Sequence, residues 1–434
     1  MKICYKCGCT DDKACVSADG ITCYWVADDL CSECVANVEE VPALNHKAFK
    51  TDKSALVDHL QKERLKNTVS MKKISIASGQ IMEPLKKLKE VIAANPPKPI
   101  LSNVLLEVSK STMLMVVCDL IVTMEASVDI VNDHDADYEY LVPFAYFYEI
   151  CEHISLEGMT IEFKTVAKKG SSATVTTLTA SFDIKGLEDT KEWPAMPEFP
   201  EANSVGIGGD FIECINKAIS TTAKKSTNAA LEKIFLKIGG GSLTMASCNA
   251  FCIYEKSSVT SESGVAEMLI NIKIAKALKG LEETTISWSD SHVAFVSNAY
   301  RIIGLLQDEK FPDYTRYFST AGEPNFTISL EEFKDVIGKV SLTEKPATIF
   351  FKREIGHVVV ESENTDKYGK ALARMPYDFK GDCEKIIITP AVVQLLLSQV
   401  KYTTLNLSIT GEKEPIVITT PSDPSYRSLL MPRG

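Results

Sequence analysis

The chain has 434 residues, 45% of them hydrophobic and 24% charged, with 47 Lys plus Arg against 58 Asp plus Glu and a formal net charge of −11. A chain of this length holds about three domains with separate cores, and this balance excludes a disordered or collagen-like polymer. Net negative charge favours solubility and speaks against a surface that is basic all over, so any attraction for nucleic acid has to be local.

The first 36 residues read as a Cys-rich head. Seven of the thirteen Cys fall within the first 34 positions, at Cys4, Cys7, Cys9, Cys15, Cys23, Cys31 and Cys34. The pairs Cys4/Cys7 and Cys31/Cys34 bracket the segment, a spacing that lets four thiolates meet one tetrahedral zinc ion, while Gly8 supplies the tight turn. So short a stretch buries too little core to fold unaided, and a metal supplies the missing stability. Structural zinc is the expected cofactor; Cys9, Cys15 and Cys23 are spare ligands, so a second ion, an iron–sulfur centre or free thiols are the alternatives. With Tyr24-Trp-Val and Asp29-Leu-Cys-Ser-Glu-Cys34, the head resembles small Cys-rich modules of phage and bacterial proteins, a likeness that brings no function with it.

Met1-Lys-Ile-Cys4 runs directly into polar sequence without the apolar core of a signal peptide, and no stretch reaches the roughly 18 apolar residues of a membrane span. The expectation is a soluble cytoplasmic protein with no membrane partner, its Cys reduced or bound to metal. Residues 37–70 read as a polar linker with a weakly amphipathic helix over Lys53–Lys66 that carries Leu56, Leu60 and Leu65. At Met71 a strand opens, Lys72–Ser78, as if an independent protein began there.

From that point the chain says nearly the same thing three times. A short polar strand and an amphipathic helix recur near Ile81, Phe211 and Leu330, a period of roughly 120 to 130 residues and so the size of a whole domain. Each helix leads into a β-rich stretch, at Pro99–Val108, Leu231–Ile238 and Ala347–Lys352. A second helix follows, at Phe144–Ile154, Ile272–Gly280 and Pro390–Lys401, and alternating strands close each copy, at Thr160–Phe163, Thr285–Trp288 and Leu405–Ser408. The predicted fold class is α+β, with two helices packed on antiparallel sheets in each of three tandem domains at 71–200, 201–318 and 319–434. Bounded as 80–93, 144–154, 210–225, 272–280, 330–340 and 390–401, the six helices carry twelve Lys against nine acidic residues, so about −14 falls on the rest of the chain. Lys on solvated helix faces is one reading, and a basic inner surface within an acidic protein is the other.

Several segments recur in the order and spacing of one family. They are Pro84-Leu-Lys-Lys87, Pro99-Ile-Leu-Ser-Asn-Val-Leu-Leu106, Cys118-Asp-Leu120 and Val142-Pro143 with Phe147-Tyr-Glu-Ile-Cys151 in the first repeat. Lys310-Phe-Pro-Asp-Tyr-Thr-Arg316 closes the second, and Tyr426-Arg-Ser-Leu-Leu-Met-Pro-Arg433 closes the third. From Met71 onwards the chain thereby resembles a bacterial-type DNA sliding clamp, the β subunit of DNA polymerase III. The resemblance implies three clamp domains per chain and a head-to-tail homodimeric ring, with helices lining the hole and strands forming the wall. It implies a processivity factor that encircles duplex DNA without reading bases and tethers the polymerase and clamp loader. The candidate DNA-facing residues are Lys86, Lys89, Lys217, Lys224, Lys225, Lys276, Lys279 and Lys339. The helix Phe144–Ile154 carries Glu149 and Glu152 without Lys, and Asn95 stands where the family often has Arg, so contact there is in doubt. At ring closure Phe182 would lie near Val340 and Leu342, unless all three are core residues of their own domains.

The family's peptide pocket maps onto Leu231, Ser247, Asn249, Pro312, Arg316, Tyr317, Pro415, Leu429, Met431 and Pro432. Apolar walls with an adaptable Met suit a peptide groove, and Arg316 suits its backbone or a carboxylate. One departure stands out: Ser247-Cys-Asn-Ala-Phe-Cys252 lacks the His and Arg of the family's usual Thr-Asp-Gly-His-Arg-Leu, which implies a different peptide preference or a repacked wall.

No catalytic residues are expected. The six His are scattered, and none stands in a nucleophile-plus-base arrangement. His134 among Asp133, Asp135 and Asp137 reads as a turn, and so do Gly206, Gly208 and Gly209 and the run Gly239–Gly241, which lack the phosphate-loop pattern. The competing reading is a zinc-dependent DNA-binding regulator whose repeats only oligomerise. It predicts tight binding to short linear duplexes, whereas a clamp slips off open ends.

Overall fold

A computed structural model describes residues 25–27, 30–31 and 69–433, apart from 78, 94, 135–136, 155–156, 167–169, 188, 201–202, 261–263, 320–321, 353–355, 377 and 399. By its internal contacts the chain divides at Leu65/Lys66. In the first part, β1 (Trp25–Ala27) pairs antiparallel with β2 (Leu30–Cys31), Trp25 opposite Cys31. The expected helix Lys53–Lys66 and the Cys expected to bind metal lie outside the described residues, except for the backbone of Cys31.

The second part repeats one order of elements three times. The first copy runs β3 (Val69–Ile76), α1 (Met82–Lys89), β4 (Asn103–Val108), β5 (Thr112–Cys118), β6 (Val122–Asp129), the short β7 (Val131–Asn132), β8 (Tyr138–Pro143), α2 (Phe144–His153), β9 (Met159–Val166), β10 (Gly170–Thr176) and β11 (Ser181–Leu187). The second runs β12 (Asn203–Ile207), α3 (Gly209–Ser220), β13 (Ile234–Gly239), β14 (Ser242–Cys248), β15 (Cys252–Val259), β16 (Ala266–Ile270), α4 (Ile272–Ala277), β17 (Thr284–Trp288), β18 (His292–Ser297) and β19 (Tyr300–Leu305). A short helix α5 (Thr315–Ser319) leads into the third, with β20 (Phe326–Ser329), α6 (Leu330–Ser341), β21 (Ala347–Lys352), β22 (His357–Asn364), β23 (Gly369–Pro376), β24 (Lys385–Ile388), α7 (Pro390–Ser398), β25 (Thr404–Ser408), β26 (Ile416–Thr419) and β27 (Tyr426–Leu430).

Several boundaries move from the sequence reading. The first strand starts at Val69, because its backbone already pairs with Val166 there. Pro99–Ser102 and Ala229–Glu232 are single 3-10 turns ahead of their strands. Gly206 sits inside β12 and Gly208 caps α3, so neither is a turn residue. Gly240 and Gly241 do form one: with φ of +61° and +72° they make the two-residue hairpin between β13 and β14 that only glycine adopts freely.

Sheet topology ties the copies together. Two eight-stranded sheets, in the orders β12-β17-β18-β19-β6-β5-β4-β8 and β16-β13-β14-β15-β27-β26-β25-β20, each draw four strands from one copy and four from the next. The outer sheets are β11-β10-β9-β3-β7 and β23-β22-β21-β24. The amphipathic helices bury one stripe each against these sheets: Leu85 and Leu88 in α1, Ile212 and Ile215 in α3, Phe333 and Ile337 in α6.

Each internal joint is a strand pair carrying a buried acid directly opposite an Arg. Across β6 and β19, Glu125 faces Arg301, with a closest N···O distance of 3.4 Å. Across β15 and β27, Glu255 faces Arg427 at 2.5 Å. Both carboxylates are nearly out of solvent while both guanidinium groups keep one side in water, which lowers the desolvation cost of the pair.

Candidate functional site

The six long helices follow one another in a row. α1 packs against α2 and α4, α4 against α3, and α6 against α7. Lys401, just past α7, reaches Glu213 on α3 at 2.8 Å and so links the two halves. The charge on this row is distributed differently from the sequence expectation. Within the helices as they fold, Lys and acidic residues balance at eight each; the excess comes from Lys224, Lys225, Lys279 and Lys401 in the turns beyond the C-termini. The helices stop earlier because Thr221 turns its hydroxyl back onto the Ala218 carbonyl and Gly280 takes a φ of +76°. Lys at helix C-termini also meets the negative end of the helix dipole.

The individual lysines differ. Lys86, Lys224, Lys225 and Lys279 are exposed, and their ammonium groups make no ion pair among the described residues. Lys276 lies 3.8 Å from Glu90, Lys339 pairs with Asp335 one turn back, Lys89 sits 4.0 Å over the Tyr148 ring, and Lys217 is half-buried. Two lysines outside the expected set hold the first joint. Lys273 donates to the Val91 carbonyl at 3.0 Å and pairs with Asp119. Lys87 donates to the Lys279 carbonyl, and burial pushes its pKa down against the opposing pull of Glu83. Their partners lie far off in sequence, so no local signal marks them. Glu149 and Glu152 of α2 are exposed, as is Asn95.

The second candidate site lies at the β15–β27 joint. A separate apolar cluster there joins Ala230, Ala246, Ile253, Leu269, Phe311, Tyr314, Phe318, Val417 and Leu429, with Leu231, Phe235, Cys248, Tyr317 and Met431 half-buried at its rim. Of the residues expected in a peptide pocket, Leu231, Tyr317, Leu429 and Met431 thus come together. Leu429 is 1% exposed and forms floor, not wall, whereas Ser247 is fully buried on the opposite, helix-facing side of its strand, bonded to Thr221, and takes no part in the cluster. Asn249 spends its Oδ1 on the amides of Phe251 and Cys252 at 3.1 and 3.0 Å. Arg316 is exposed and donates to the Tyr317 hydroxyl at 2.9 Å. Pro415 and Pro432 are half-buried and Pro312 is exposed. A cavity of about 480 Å³ adjoins the cluster, but of the expected residues only Pro312 lines it. The ion pair Lys237–Glu267 stands on its wall, so it suits a polar segment and not an apolar anchor.

The first joint contains the same cluster in closed form. Leu105 lies opposite Val116 and Leu141, as Phe235 lies opposite Ala246 and Leu269. By this register Ile100, Leu101 and Val116 correspond to Ala230, Leu231 and Ala246. Leu101 is 0% exposed, whereas Leu231 is half-buried. Two alanines in place of Ile and Val are what leave room above the second cluster. The turns beside the two clusters match as well. Ala250 takes φ +71° as Leu120 takes +74°, each beside an Asn or Asp that accepts two backbone amides. The substituted segment Ser247–Cys252 therefore keeps the turn of the first repeat and adds an exposed Phe251 to the rim.

Expected interface residues are divided. Phe182 is half-buried and Leu342 is 75% exposed, but Val340 is completely buried in its own domain core and has no surface to offer a partner. Among the described residues no group of three or more His, Cys, Asp or Glu is placed to hold a metal, and no helix is long and apolar enough to cross a membrane. His134 stands in a turn whose amide bonds to Asn132 at 3.0 Å.

Comparison with known proteins gives this geometry a family context. Residues 72–197 match the model of the DNA polymerase III beta subunit, N-terminal domain. The beta sliding clamp of Streptomyces coelicolor is 24% identical over 381 residues, 83% of this chain and 98% of that protein, and that of Bacillus subtilis is 19% identical over 385 residues, 83% and 99%. The crystal structure of the Bacillus subtilis DNA polymerase sliding clamp superposes with a TM-score of 0.75 at 17% identity, covering 84% of this chain and all of that one. A Pseudomonas aeruginosa sliding clamp bound to griselimycin gives 0.74 at 17% identity, with 84% and 100% coverage. Residues 72–197 thus match the DNA polymerase III beta subunit N-terminal domain, and the body that they open has the fold of the beta sliding clamps and is similar to them in sequence over 83% of the chain.

Proposed function

We propose that this chain is a DNA polymerase processivity factor, a non-catalytic accessory subunit that two copies assemble into a ring around duplex DNA. The observation that carries the reading is the threefold repeat joined edge to edge through shared sheets, with the six helices of the repeats in one row and exposed lysines at or just past the C-terminal turns of all but α2. Such lysines attract phosphates at any sequence, as sliding requires. The polymerase and the clamp loader would dock by an apolar peptide in the cluster around Leu231, Tyr317 and Met431, with Phe251 as a new wall. For the head, the Cys spacing alone supports structural zinc on Cys4, Cys7, Cys31 and Cys34; metal content of the full chain against residues 71–434 tests it, and equal content refutes it.

The decisive experiment follows retention on DNA after loading by a clamp loader. Retention on nicked circles with rapid loss from linear duplex is expected, and loss from circles should quicken when Lys86, Lys224, Lys225 and Lys279 are together changed to Ala. Equally tight binding to short linear duplex would instead favour a regulator that recognises DNA through its head.

A further inference from the structure

The rim of the open pocket has a copy at the first joint. Met431 donates its amide to the Phe251 carbonyl, and Leu305 donates its amide to the Ile121 carbonyl, both at 2.8 Å. Phe251 and Ile121 in turn donate their own amides to the Asn or Asp two positions back, Asn249 or Asp119. Ile121 and Leu305 therefore stand where Phe251 and Met431 stand. Beneath them the first joint is filled, with Leu101 fully buried, but the rim is bare: Leu120, Ile121 and Leu305 are 46%, 39% and 41% exposed. Together with Pro194, Pro197 and His292 they line a small cavity of about 120 Å³. Large apolar side chains gathered on one exposed spot mark a contact surface, where the same residues scattered singly do not.

This patch is continuous with the second joint. The chain passes from the wall of the small cavity to that of the 480 Å³ cavity between Leu305 and Leu306, and the β17–β18 hairpin does the same between His292 and Asp290. The larger cavity shares Phe235, Leu269, Phe311 and Tyr314 with the apolar cluster. Its charge is one-sided. Glu267 and Glu309 are paired with Lys237 and Lys233, whereas Asp290, Asp308 and Asp313 form no ion pair among the described residues and have Lys310 alone on the described wall to offset them.

Resting on the peptide docking proposed for the second joint, we propose that the docked partner polypeptide continues beyond the pocket along this path. A segment rich in Lys or Arg crosses the acidic cavity, and an apolar residue after it covers Leu120, Ile121 and Leu305. One chain is the occupant because the path from cluster to patch is unbroken. The first anchor enters a pocket and the second lies on a filled surface, so the second adds less. Once the first is seated, the second contact is intramolecular, and it fixes the direction in which the partner crosses two repeats.

The test is fluorescence anisotropy of the full chain with labelled peptides: a short apolar clamp-binding peptide, and the same peptide lengthened at one end or the other by ten residues that include three lysines and finish in Leu-Phe. Ten extended residues reach about 33 Å, enough to cross a cavity of this size. One of the two lengthened peptides should bind about tenfold more tightly than the short one in low salt, and salt should shrink the gain. Asp290→Lys with Asp308→Lys should abolish the gain, and Leu120→Asn with Leu305→Ser should reduce it about threefold, while both pairs leave the short peptide's Kd unchanged. All four positions are exposed, Asn tolerates the φ of +74° at position 120, and unchanged thermal unfolding identifies intact variants. Binding of the short peptide with no gain on lengthening, or a gain that either pair of changes leaves whole, overturns the path and keeps the pocket. Failure of the short peptide to bind overturns the docking site and the path with it.

Discussion

The two internal joints are copies of one design put to different use. Both pair a buried Glu with an Arg across neighbouring strands, and both carry an apolar cluster over the sheet. At the first joint the cluster is filled by Ile100 and Val116 and seals Leu101 from solvent. At the second, Ala230 and Ala246 leave Leu231 accessible, and the aromatic series Phe235, Phe311, Tyr314 and Phe318 fills in behind, its neighbouring ring centroids 5.1 to 6.0 Å apart. Arg427 lies 4.4 Å over Phe318, where Arg301 lies 5.5 Å from Phe199. A joint that bears an open apolar pocket has lost filling, and it is held by a closer ion pair and by a rigid aromatic brace instead.

That account predicts unequal costs when the ion pairs are broken. Arg427→Ala should destabilise the body by about 2–3 kcal/mol, below the full value for a buried pair because the Arg is half-exposed. Arg301→Ala, whose pair is longer, should cost about 1 kcal/mol. Urea unfolding of both variants measures the difference. Equal costs would mean that the brace at the second joint bears no more load than its counterpart.

A smaller effect should follow from closing the pocket. Ala230→Ile with Ala246→Val copies the first cluster into the second, at an overpacking cost of about 1–3 kcal/mol in stability. Titration of an apolar clamp-binding peptide should then show at least about a tenfold loss of affinity, roughly 1.4 kcal/mol. Retained affinity would move the peptide site away from this cluster, toward the neighbouring cavity lined by Pro312 and Lys310.

Much of this organisation was legible in the residues, since the repeat follows from periodicity and each of the six helices expected in the repeats has its counterpart in α1 to α4, α6 and α7. Charge was legible only coarsely, because lysines assigned to helices fall in the turns after them, and helix ends depend on single caps such as Thr221. The joints were not legible. Glu125 and Arg301 are 176 positions apart and meet through a strand register that no local pattern encodes. The same holds for the pocket, whose openness depends on Ala230 and Ala246 being smaller than residues of another repeat. Val340 was misplaced for a related reason, since an apolar residue late in a helix reads alike whether it faces a partner or its own core.

The finest difference between the joints is their response to acid. At the first, burial pushes the Glu125 carboxyl above the usual range; Arg301 pulls it back only in part, and Glu107 adds to the rise. At the second, burial also pushes Asp423 up, but hydrogen bonds from Lys256, Ser425 and Tyr402 outweigh it and hold the carboxyl below the usual range. A raised folded pKa means that the native state binds the proton more tightly than the unfolded chain does. The contribution of Glu125 is then fully present below the unfolded carboxylate value and is lost as pH rises through the folded one. Asp423 has the opposite sign: its contribution is present above the unfolded value and is lost as pH falls toward the folded one. Lowering pH from neutral toward the ordinary carboxylate range should therefore firm the first joint and leave the second unchanged, and further acidification should weaken the second. Glu125→Gln should flatten the gain seen in thermal unfolding as pH falls from neutral toward the ordinary carboxylate range, while Asp423→Asn should lower stability at neutral pH and flatten the loss in stronger acid. If the two variants flatten the same part of the curve, the joints share one electrostatic design, and the difference between them lies in packing alone.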